Sequence, residues 1–379
     1  FQRPDDHWVN VDTTRNSLSG YGGNFEFSKI SGDLNFMIAG MWKSPGLEVN
    51  DLGYFRMADE MMQVVWVGYN FFEPFSIFRE LHLSADQFSA WDFGGELSVA
   101  GFETGFNAFF KNFWSLNLHS SINGPVRYNS LLRGGPSMIL PGDFGLYAFL
   151  ETDDRKKLVI EPFLHINNGF LKHKKSTAIG IEFEYRPANS INLSIEPIYD
   201  QNFETLQYVK QLEQQGQDRY IFSSINQKVL SLSFRANVTL NPELTIQYWG
   251  QPFIANGDYF DFKYVTDGEA GAWEDRFYTF NRGEIILNEE TNAYAVKESK
   301  TGLDQYNIDN PDFQVNEFLS NLVLRWEYNP GSFLYLVWSQ SRNDIVPESD
   351  FNFKRDFSEV WNIYPTNIIL LKASFRLGR

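Results

Sequence analysis

The feature that most constrains this chain is a strict alternation of apolar and polar residues in its second half. From Leu230 to Leu240 every even-numbered residue is apolar and every odd-numbered residue is polar. Successive side chains of a β-strand point to opposite faces, so this segment is predicted to be a strand between an apolar and a polar surrounding. A turn sequence around Pro242 follows, and the alternation resumes at Leu244. Two antiparallel strands joined by a tight turn are therefore predicted.

The same alternation recurs along most of the chain, and no segment has helical periodicity over three turns. The longest apolar runs are a few residues, whereas a membrane-spanning helix needs roughly 20. We therefore predict an all-β chain with about fifteen strands between Leu18 and Leu377, and a sixteenth candidate over Trp8–Thr14. The clearest further examples of the pattern are Ile179–Tyr185, Ile191–Glu196, Leu322–Tyr328 and Ile369–Leu377.

Composition separates two kinds of all-β protein. Aromatic residues make up 17% of the chain, yet the mean hydropathy is −0.34 and the net charge is −16. The polar faces of the predicted strands contain Glu, Arg and Lys together, which suits a water-filled interior better than the dry core of a soluble sandwich. Strands with an apolar outside and a wet inside are typical of a transmembrane β-barrel.

The predicted connections alternate in length, as they do in bacterial outer-membrane barrels. We therefore expect one antiparallel transmembrane outer-membrane β-barrel domain over residues 1–379, with about 16 strands or more, short periplasmic turns and long extracellular loops. The longest loop, over residues 265–312, contains a predicted hairpin of Glu284–Leu287 against Ala293–Val296. Short turns are expected near Gly32, Pro74, Asp153, Pro187, Pro242 and Pro330, and long connections over Lys43–Asp51, Gly124–Pro141, Phe203–Asp218, Val265–Asp312 and Ile345–Pro365.

Several kinds of chemistry have no motif in this sequence. The chain has no cysteine, so a disulfide framework and a thiolate zinc site are excluded. Its acidic balance argues against nucleic-acid binding, which requires a basic face. The five histidines are scattered, and no zinc, phosphate-loop, dinucleotide or serine-hydrolase motif occurs. We therefore expect no catalytic centre, no cofactor and no bound metal.

One loop segment, Leu132–Pro136, combines an arginine with residues that restrict the backbone. Gly134 and Gly135 permit unusual backbone angles, and Pro136 fixes one angle. Arg133 would anchor the loop inside a barrel lumen by pairing with a carboxylate there. The alternative is a tight turn with a solvent-facing arginine. We interpret the four residues from Arg133 onward as a candidate constriction of the lumen.

Charged residues on the polar strand faces form a second candidate group. Glu182 and Glu184 share a face, as the two carboxylates of a glycosidase do. The alternative, which we prefer, is two lumen-facing charges that neighbouring cations such as Arg186 offset. The remaining lumen-facing candidates are Arg235, Arg325 and Glu327.

Short segments spread over nearly the whole chain match a known family, in the order in which that family has them. They are Trp8–Thr14, Ser44–Gly46, Asn50–Tyr54, Phe110–Trp114, Leu132–Pro136, Asp153–Lys157, Tyr248–Phe253, Asn310–Phe313 and Leu324–Tyr328. On these segments the chain resembles the barrel region of the Bacteroidota proteins that carry the DUF5916 domain. The resemblance implies an outer-membrane protein whose complete form is longer, with an N-terminal domain similar to carbohydrate-binding module family 9 and more barrel sequence before these residues.

The leading functional hypothesis is a non-enzymatic barrel of the bacterial outer membrane that serves uptake or surface binding of a polymer such as a glycan. A second hypothesis is a structural subunit of a larger envelope complex, and a third is a carbohydrate-active enzyme. The expected partners are outer-membrane lipid and lipopolysaccharide, a glycan ligand and other outer-membrane subunits. An open lumen would favour the first hypothesis, and a plugged lumen with bound partner proteins would favour the second.

Overall fold

The computed structural model describes residues 5, 7–9, 12, 14–214, 216–298, 305–347 and 349–378. These residues form strands, short 3-10 turns and one α-helix, α1 (Phe353–Val360). None of the helices in this part of the chain has the length and hydrophobicity needed to cross a bilayer. The first eleven strands are β1 (Gly22–Lys29), β2 (Leu34–Lys43), β3 (Glu60–Phe71), β4 (Phe78–Trp91), β5 (Leu97–Phe110), β6 (Ser115–Asn123), β7 (Val126–Tyr128), β8 (Met138–Leu140), β9 (Asp143–Glu151), β10 (Leu158–Gly169) and β11 (Lys174–Ala188). The next ten are β12 (Ile191–Gln214), β13 (Gln217–Asn241), β14 (Leu244–Val265), β15 (Phe277–Thr279), β16 (Ile285–Asn288), β17 (Ala293–Val296), β18 (Tyr306–Asp309), β19 (Phe313–Asn329), β20 (Ser332–Val346) and β21 (Thr366–Ser374).

Fifteen of these strands pair consecutively into one antiparallel sheet, in the order β1 to β6, β9 to β14 and β19 to β21. The short strand β15 pairs with β14 and makes the sheet sixteen-stranded. The predictions of an all-β fold and of about fifteen antiparallel strands are confirmed. Within the described residues no ladder joins β1 to β21, so these two strands are the edges of the sheet. Over Trp8–Thr14 the described residues Trp8, Val9, Asp12 and Thr14 form no strand, and the others lie outside the described residues.

The connections alternate between the two ends of the sheet. One end, the turn end, carries short turns; six of them fall where they were predicted, and the turn over residues 111–114 was not predicted. The other end, the loop end, carries the long connections together with three short ones, over residues 92–96, over residues 170–173 and between β12 and β13. The prediction of a long loop over Phe203–Asp218 was wrong, because β12 and β13 continue as a ladder until Gln214 pairs with Gln217. Two register shifts in β12, between Glu204 and Lys210, interrupt the alternation that marks a strand in the sequence.

Cross-strand register keeps the apolar residues of neighbouring strands on one face of the sheet, the apolar face. An unbroken apolar row crosses eleven strands on this face; four of its side chains are exposed, and Ile254 at its end is buried. The adjacent row on the opposite face, the polar face, contains His119, His165 and Asp200. The apolar row, in sheet order, is Leu34, Tyr69, Leu83, Phe106, Leu118, Ala148, Leu164, Ile179, Tyr199, Leu230 and Ile254.

Strands β12, β13 and β14 are the longest, with 24, 25 and 22 residues, and they extend beyond their neighbours at the loop end. The predicted loop over 265–312 is folded onto this extension. Its hairpin prediction is confirmed, since β16 pairs with β17 and Ile285 lies opposite Val296. Strand β18 completes a three-stranded sheet. A buried set that we call the hairpin cluster joins this small sheet to β13 and β14; it comprises Ile221, Phe262, Tyr264, Phe280, Val296, Tyr306 and Ile308.

We expect Val296→Asp to detach the small sheet from the extension. Val296 is fully buried, and an unpaired carboxylate there costs about 4 kcal/mol or more. Limited proteolysis should then cut within residues 280–312 while the large sheet remains intact by circular dichroism. Ile286→Asp is the matched control, because Ile286 lies in the same sheet and is 62% exposed. Equal protease resistance of both variants would show that the hairpin cluster does not hold this segment.

Candidate functional site

The connection between β6 and β9 folds back onto the sheet instead of extending into solvent. Its two buried apolar residues, Leu132 and Met138, pack against β12, β13 and Trp273. Trp273 also contacts His173, whose neighbour Lys174 pairs with Asp143 on the polar face. This packing joins the connection to the extended ends of β12 and β13. We call it the anchor cluster; its buried members are Leu132, Met138, Leu206, Tyr220, Phe222 and Trp273.

The anchor and hairpin clusters occupy opposite faces of the same strand extension. Ile221 belongs to the hairpin cluster and Phe222 to the anchor cluster. Because consecutive strand residues point to opposite faces, the extension of β13 is covered on both sides. Both side chains are completely buried. The loop end is thus a packed structure, and its loops hold fixed positions relative to the sheet.

The segment Arg133–Pro136 turns the connection at the anchor cluster. Gly134 has a φ of +110°, which a residue with a side chain rarely adopts. Gly135 lies against Tyr220 so closely that a Cβ would be 2.4 Å from a ring carbon. The Arg133 guanidinium lies 4.1 Å from the centroid of the Tyr208 ring, so its partner is aromatic where a carboxylate was predicted. These residues determine the shape of the loop. Pro136 also lines a cavity between the loop and the strand extension.

Arg127, on β7, is the polar centre of the loop end. Its guanidinium forms ion pairs with Asp5 at 3.4 Å, with Glu96 at 2.8 Å and with Glu269. The fully buried Ser137 accepts a hydrogen bond from Arg127 at 2.8 Å, and its backbone N–H donates to Asp5 at 2.9 Å. Glu96 precedes β5 and Glu269 follows β14, which are far apart in the strand order. Arg127 therefore ties together segments that lie far apart in the strand order.

A cavity of about 410 Å³, which we call the mouth cavity, lies between this network and the strand extension. Asp5, Asp218, Asp267 and Glu269 give it an acidic lining. The remaining lining includes hydroxyl groups, the side chain of Arg219 and the ring of Tyr220, so hydrogen-bond acceptors and donors surround one aromatic group. Such a site suits an uncharged polar ligand or a cationic one.

Lys263 is a buried cation next to the anchor cluster, in the part of β14 that extends beyond the neighbouring strands. Its Nζ donates to the carbonyl oxygen of Thr205 at 2.8 Å and to the hydroxyl oxygen of Ser224 at 3.0 Å. The same ammonium lies 5.4 Å from the centroid of the Phe277 ring. Only 3% of the residue is exposed, and burial lowers the pKa of this lysine from 10.5 to about 8.

The predicted carboxylate pair lies on the polar face of β11, away from the mouth cavity. Glu182 is opposite Glu161 of β10 in the register. Glu184 accepts a hydrogen bond from Arg186 at 2.9 Å and another from Asn192. Glu184 thus has the cationic neighbour that the non-catalytic interpretation requires.

The other predicted polar-face residues are also far from the mouth cavity along their strands. Arg235 of β13 lies opposite Trp249 of β14. Arg325 lies 3.8 Å from the Glu327 carboxylate and 4.4 Å from the centroid of the Phe333 ring, near the turn end. The structure therefore separates the predicted site residues into two groups. One lies around Arg133 at the loop end, and the other lies along the strands of the large sheet. Among the described residues no set of histidines and carboxylates is arranged to hold a metal ion.

Comparison with known families identifies the family and leaves the activity open. The family model described as a domain of unknown function, DUF5916, matches residues 6–377. The chain therefore belongs to the DUF5916 family, as the sequence segments indicated. No curated protein matches the chain.

Lys263 makes the stability of the loop end depend on pH. Its folded pKa of about 8 is below the unfolded value of 10.5, so between these values the folded state has released a proton that the unfolded state keeps. The contribution of Lys263 to the free energy of unfolding therefore rises by about 3 kcal/mol from pH 8 to pH 10.5. The Lys263→Met variant has no such gain. Its free energy of unfolding, compared with that of the wild type, should therefore become about 3 kcal/mol lower as the pH rises from 8 to 10.5.

Denaturant unfolding of the protein at several pH values measures this difference. Lys156→Met, in an exposed turn at the other end of the sheet, is the control and should show a constant difference from the wild type. A constant difference for Lys263→Met as well would contradict the lowered pKa.

Proposed function

We propose that this chain forms the wall of a bacterial outer-membrane β-barrel with loops folded across its mouth. We further propose that it serves uptake or surface binding of a polar polymer such as a glycan. The observation that carries the proposal is the apolar row that crosses eleven strands on one face of the sheet. Leu34 and Ile179 in this row are 48% and 55% exposed. A soluble protein rarely leaves a surface of this size and continuity open to water, whereas lipid chains would cover it.

The polar face supports the same proposal from the other side. The row next to the apolar one places His119, His165 and Asp200 on that face, and a water-filled lumen would solvate such residues. In the strands that carry these residues, alternation thus matches a wall that separates lipid from water.

The exposed edges of the sheet are part of the proposal. Phe27 of β1 is 64% exposed, and Ile369 and Leu371 of β21 are 72% and 67% exposed. Unpaired apolar edges within a membrane are unfavourable because their backbone groups lack hydrogen-bond partners. An odd number of antiparallel strands leaves β1 and β21 parallel. The wall therefore closes either by a parallel pair of these strands or by an odd number of further strands.

The mouth cavity supports a role in ligand binding. The loop between β6 and β9 and the segment after β14 pack at the loop end and leave a cavity with acidic groups and an aromatic ring. Carboxylates, hydroxyl groups and ring faces together suit the hydroxyl groups and apolar patches of a sugar polymer. We propose that these loops act as a gate that a ligand contacts first. The proposal assigns no catalytic step to the chain.

One observation favours the alternative of a structural subunit. The small sheet of β16, β17 and β18 presents Ile286 and Leu287 to solvent, with exposures of 62% and 39%. Neighbouring exposed apolar residues at the tip of a packed hairpin suit contact with a second protein. Under this alternative the closed mouth is permanent, and the outer surface of the loops carries the function.

Insertion into lipid should fail when a charge is placed on the apolar face. Ala236 lies on the apolar face between Leu193 and Tyr248, whereas the next residue, Asn237, faces the polar side. Ala236→Arg should cost about 2–4 kcal/mol near the bilayer midplane, and Asn237→Arg should cost little. Flotation of the refolded proteins with liposomes measures the difference. Equal insertion of both variants, or no insertion of the wild type, would contradict the proposed membrane wall.

Channel recordings distinguish a gate from a permanent plug. Leu132→Asp places a charge in the anchor cluster and should release the loop, because the wild-type leucine is completely buried. We expect low wild-type conductance in planar bilayers and a clearly higher open probability for Leu132→Asp. Ser130→Asp, at an exposed position in the same loop, should behave like the wild type. A silent Leu132→Asp would contradict the uptake role and favour the structural subunit.

A further inference from the structure

An apolar groove interrupts the apolar face between β6 and β13. Its volume is about 550 Å³, and its lining is almost entirely apolar. The depression forms where small or rigid side chains replace large ones. The residues on the apolar face that create it are Ala148 of β9, Pro162 of β10 and Pro197 of β12.

Two prolines in interior strands make the groove unusual. Proline has no backbone N–H, so it removes a ladder hydrogen bond and is normally confined to strand edges and bulges. Pro162 lies opposite Ile181, and the β11–β12 ladder lacks the pair that Ile181 would make with Pro197. The wall is thus locally weakened at the groove, a cost that ordinary sheet stability does not explain.

Polar residues lie on the same face next to the groove, on its loop-end side. Tyr199 and Leu230 line that end, and two positions further along each strand are Gln201 and Lys228, which lie opposite each other. Lys175 lies four positions beyond the groove residue Ile179, on the same face of β11. The apolar groove therefore leads to a group of two lysines and an amide.

These lysines differ from the neighbouring Lys174. Lys174 points to the polar face and pairs with Asp143 at 2.8 Å. Lys175 is exposed, and the ammonium of Lys228 lies 5.6 Å from the centroid of the Phe351 ring. In the described part of the chain neither ammonium has a carboxylate within ion-pair distance. The nearest carboxylate in the register is that of Asp258, opposite Asn226 and diagonal to Lys228.

We propose that the groove binds an acyl chain of a phosphate-bearing lipid and that Lys175 and Lys228 bind its phosphate. The inference rests on the proposed membrane wall, since only then does lipid surround the apolar face. An acyl chain matches the apolar lining, and two unpaired ammonium groups in a chain of net charge −16 match an anionic headgroup. Gln201 is on β12, between the strands that carry Lys175 and Lys228, and it donates a further hydrogen bond to the headgroup.

Native mass spectrometry of the full chain in detergent tests this site. The probes are dipalmitoyl phosphatidic acid and dipalmitoylglycerol, which share their acyl chains and differ in the phosphate. The wild type should retain phosphatidic acid about tenfold more strongly or better, and Lys175→Glu with Lys228→Glu should abolish that preference. Lys111→Glu with Lys156→Glu, the same charge change in two turns at the other end, should leave it unchanged.

A groove-filling variant tests the acyl-chain part. Ala148→Phe should reduce retention of both lipids while the variant still floats with liposomes. Equal retention of the two lipids by the wild type, or an unchanged preference in the double lysine variant, would overturn the lipid site. If those proteins insert into liposomes normally, the membrane wall stands and only the lipid site fails. Failure of the wild type to insert would overturn both.

Discussion

The antiparallel register between strands is the constraint on which the rest of the structure depends. Side chains alternate between faces with a period of two, so a shift of one residue in any ladder would move a whole strand's apolar set to the opposite face. Register holds the apolar row from Leu34 to Ile254 together across eleven strands. The polar face, the exposed apolar face and the groove between β6 and β13 all follow from it.

The loop end depends on a second consequence of the same ladders. Strands β12 to β14 continue past their neighbours and provide a surface on which loops pack from both sides. Ile221 and Phe222 are adjacent in sequence but belong to two separate cores, the hairpin cluster and the anchor cluster. One core holds the small sheet of β16 to β18, and the other holds the loop between β6 and β9. Arg127 then fixes that loop to Glu96 and Glu269. Loops held in fixed positions are what the proposed gate or docking surface requires.

Local patterns made part of this structure predictable from sequence. Alternation predicted the strands, turn residues predicted six of the short turns, and both signals together predicted the hairpin that ends at Val296. The end of β12 was missed because its bulges break the period of two. The Arg127 network could not be found, since its hydrogen bond to Asp5 joins residues 122 positions apart and no motif marks either one. Lys263 was missed because burial, which lowers its pKa, is a property of the fold.

The central claim, that one face of the sheet meets lipid and the other meets water, can be measured directly along β13. The chain contains no cysteine, so single cysteines at each position from Leu230 to Leu240 can carry a nitroxide label without background. In liposomes, collision with oxygen should be highest at even-numbered positions, and collision with a water-soluble nickel complex highest at odd-numbered ones. A profile without a period of two, or equal access of the nickel complex to both sets of positions, would contradict the claim.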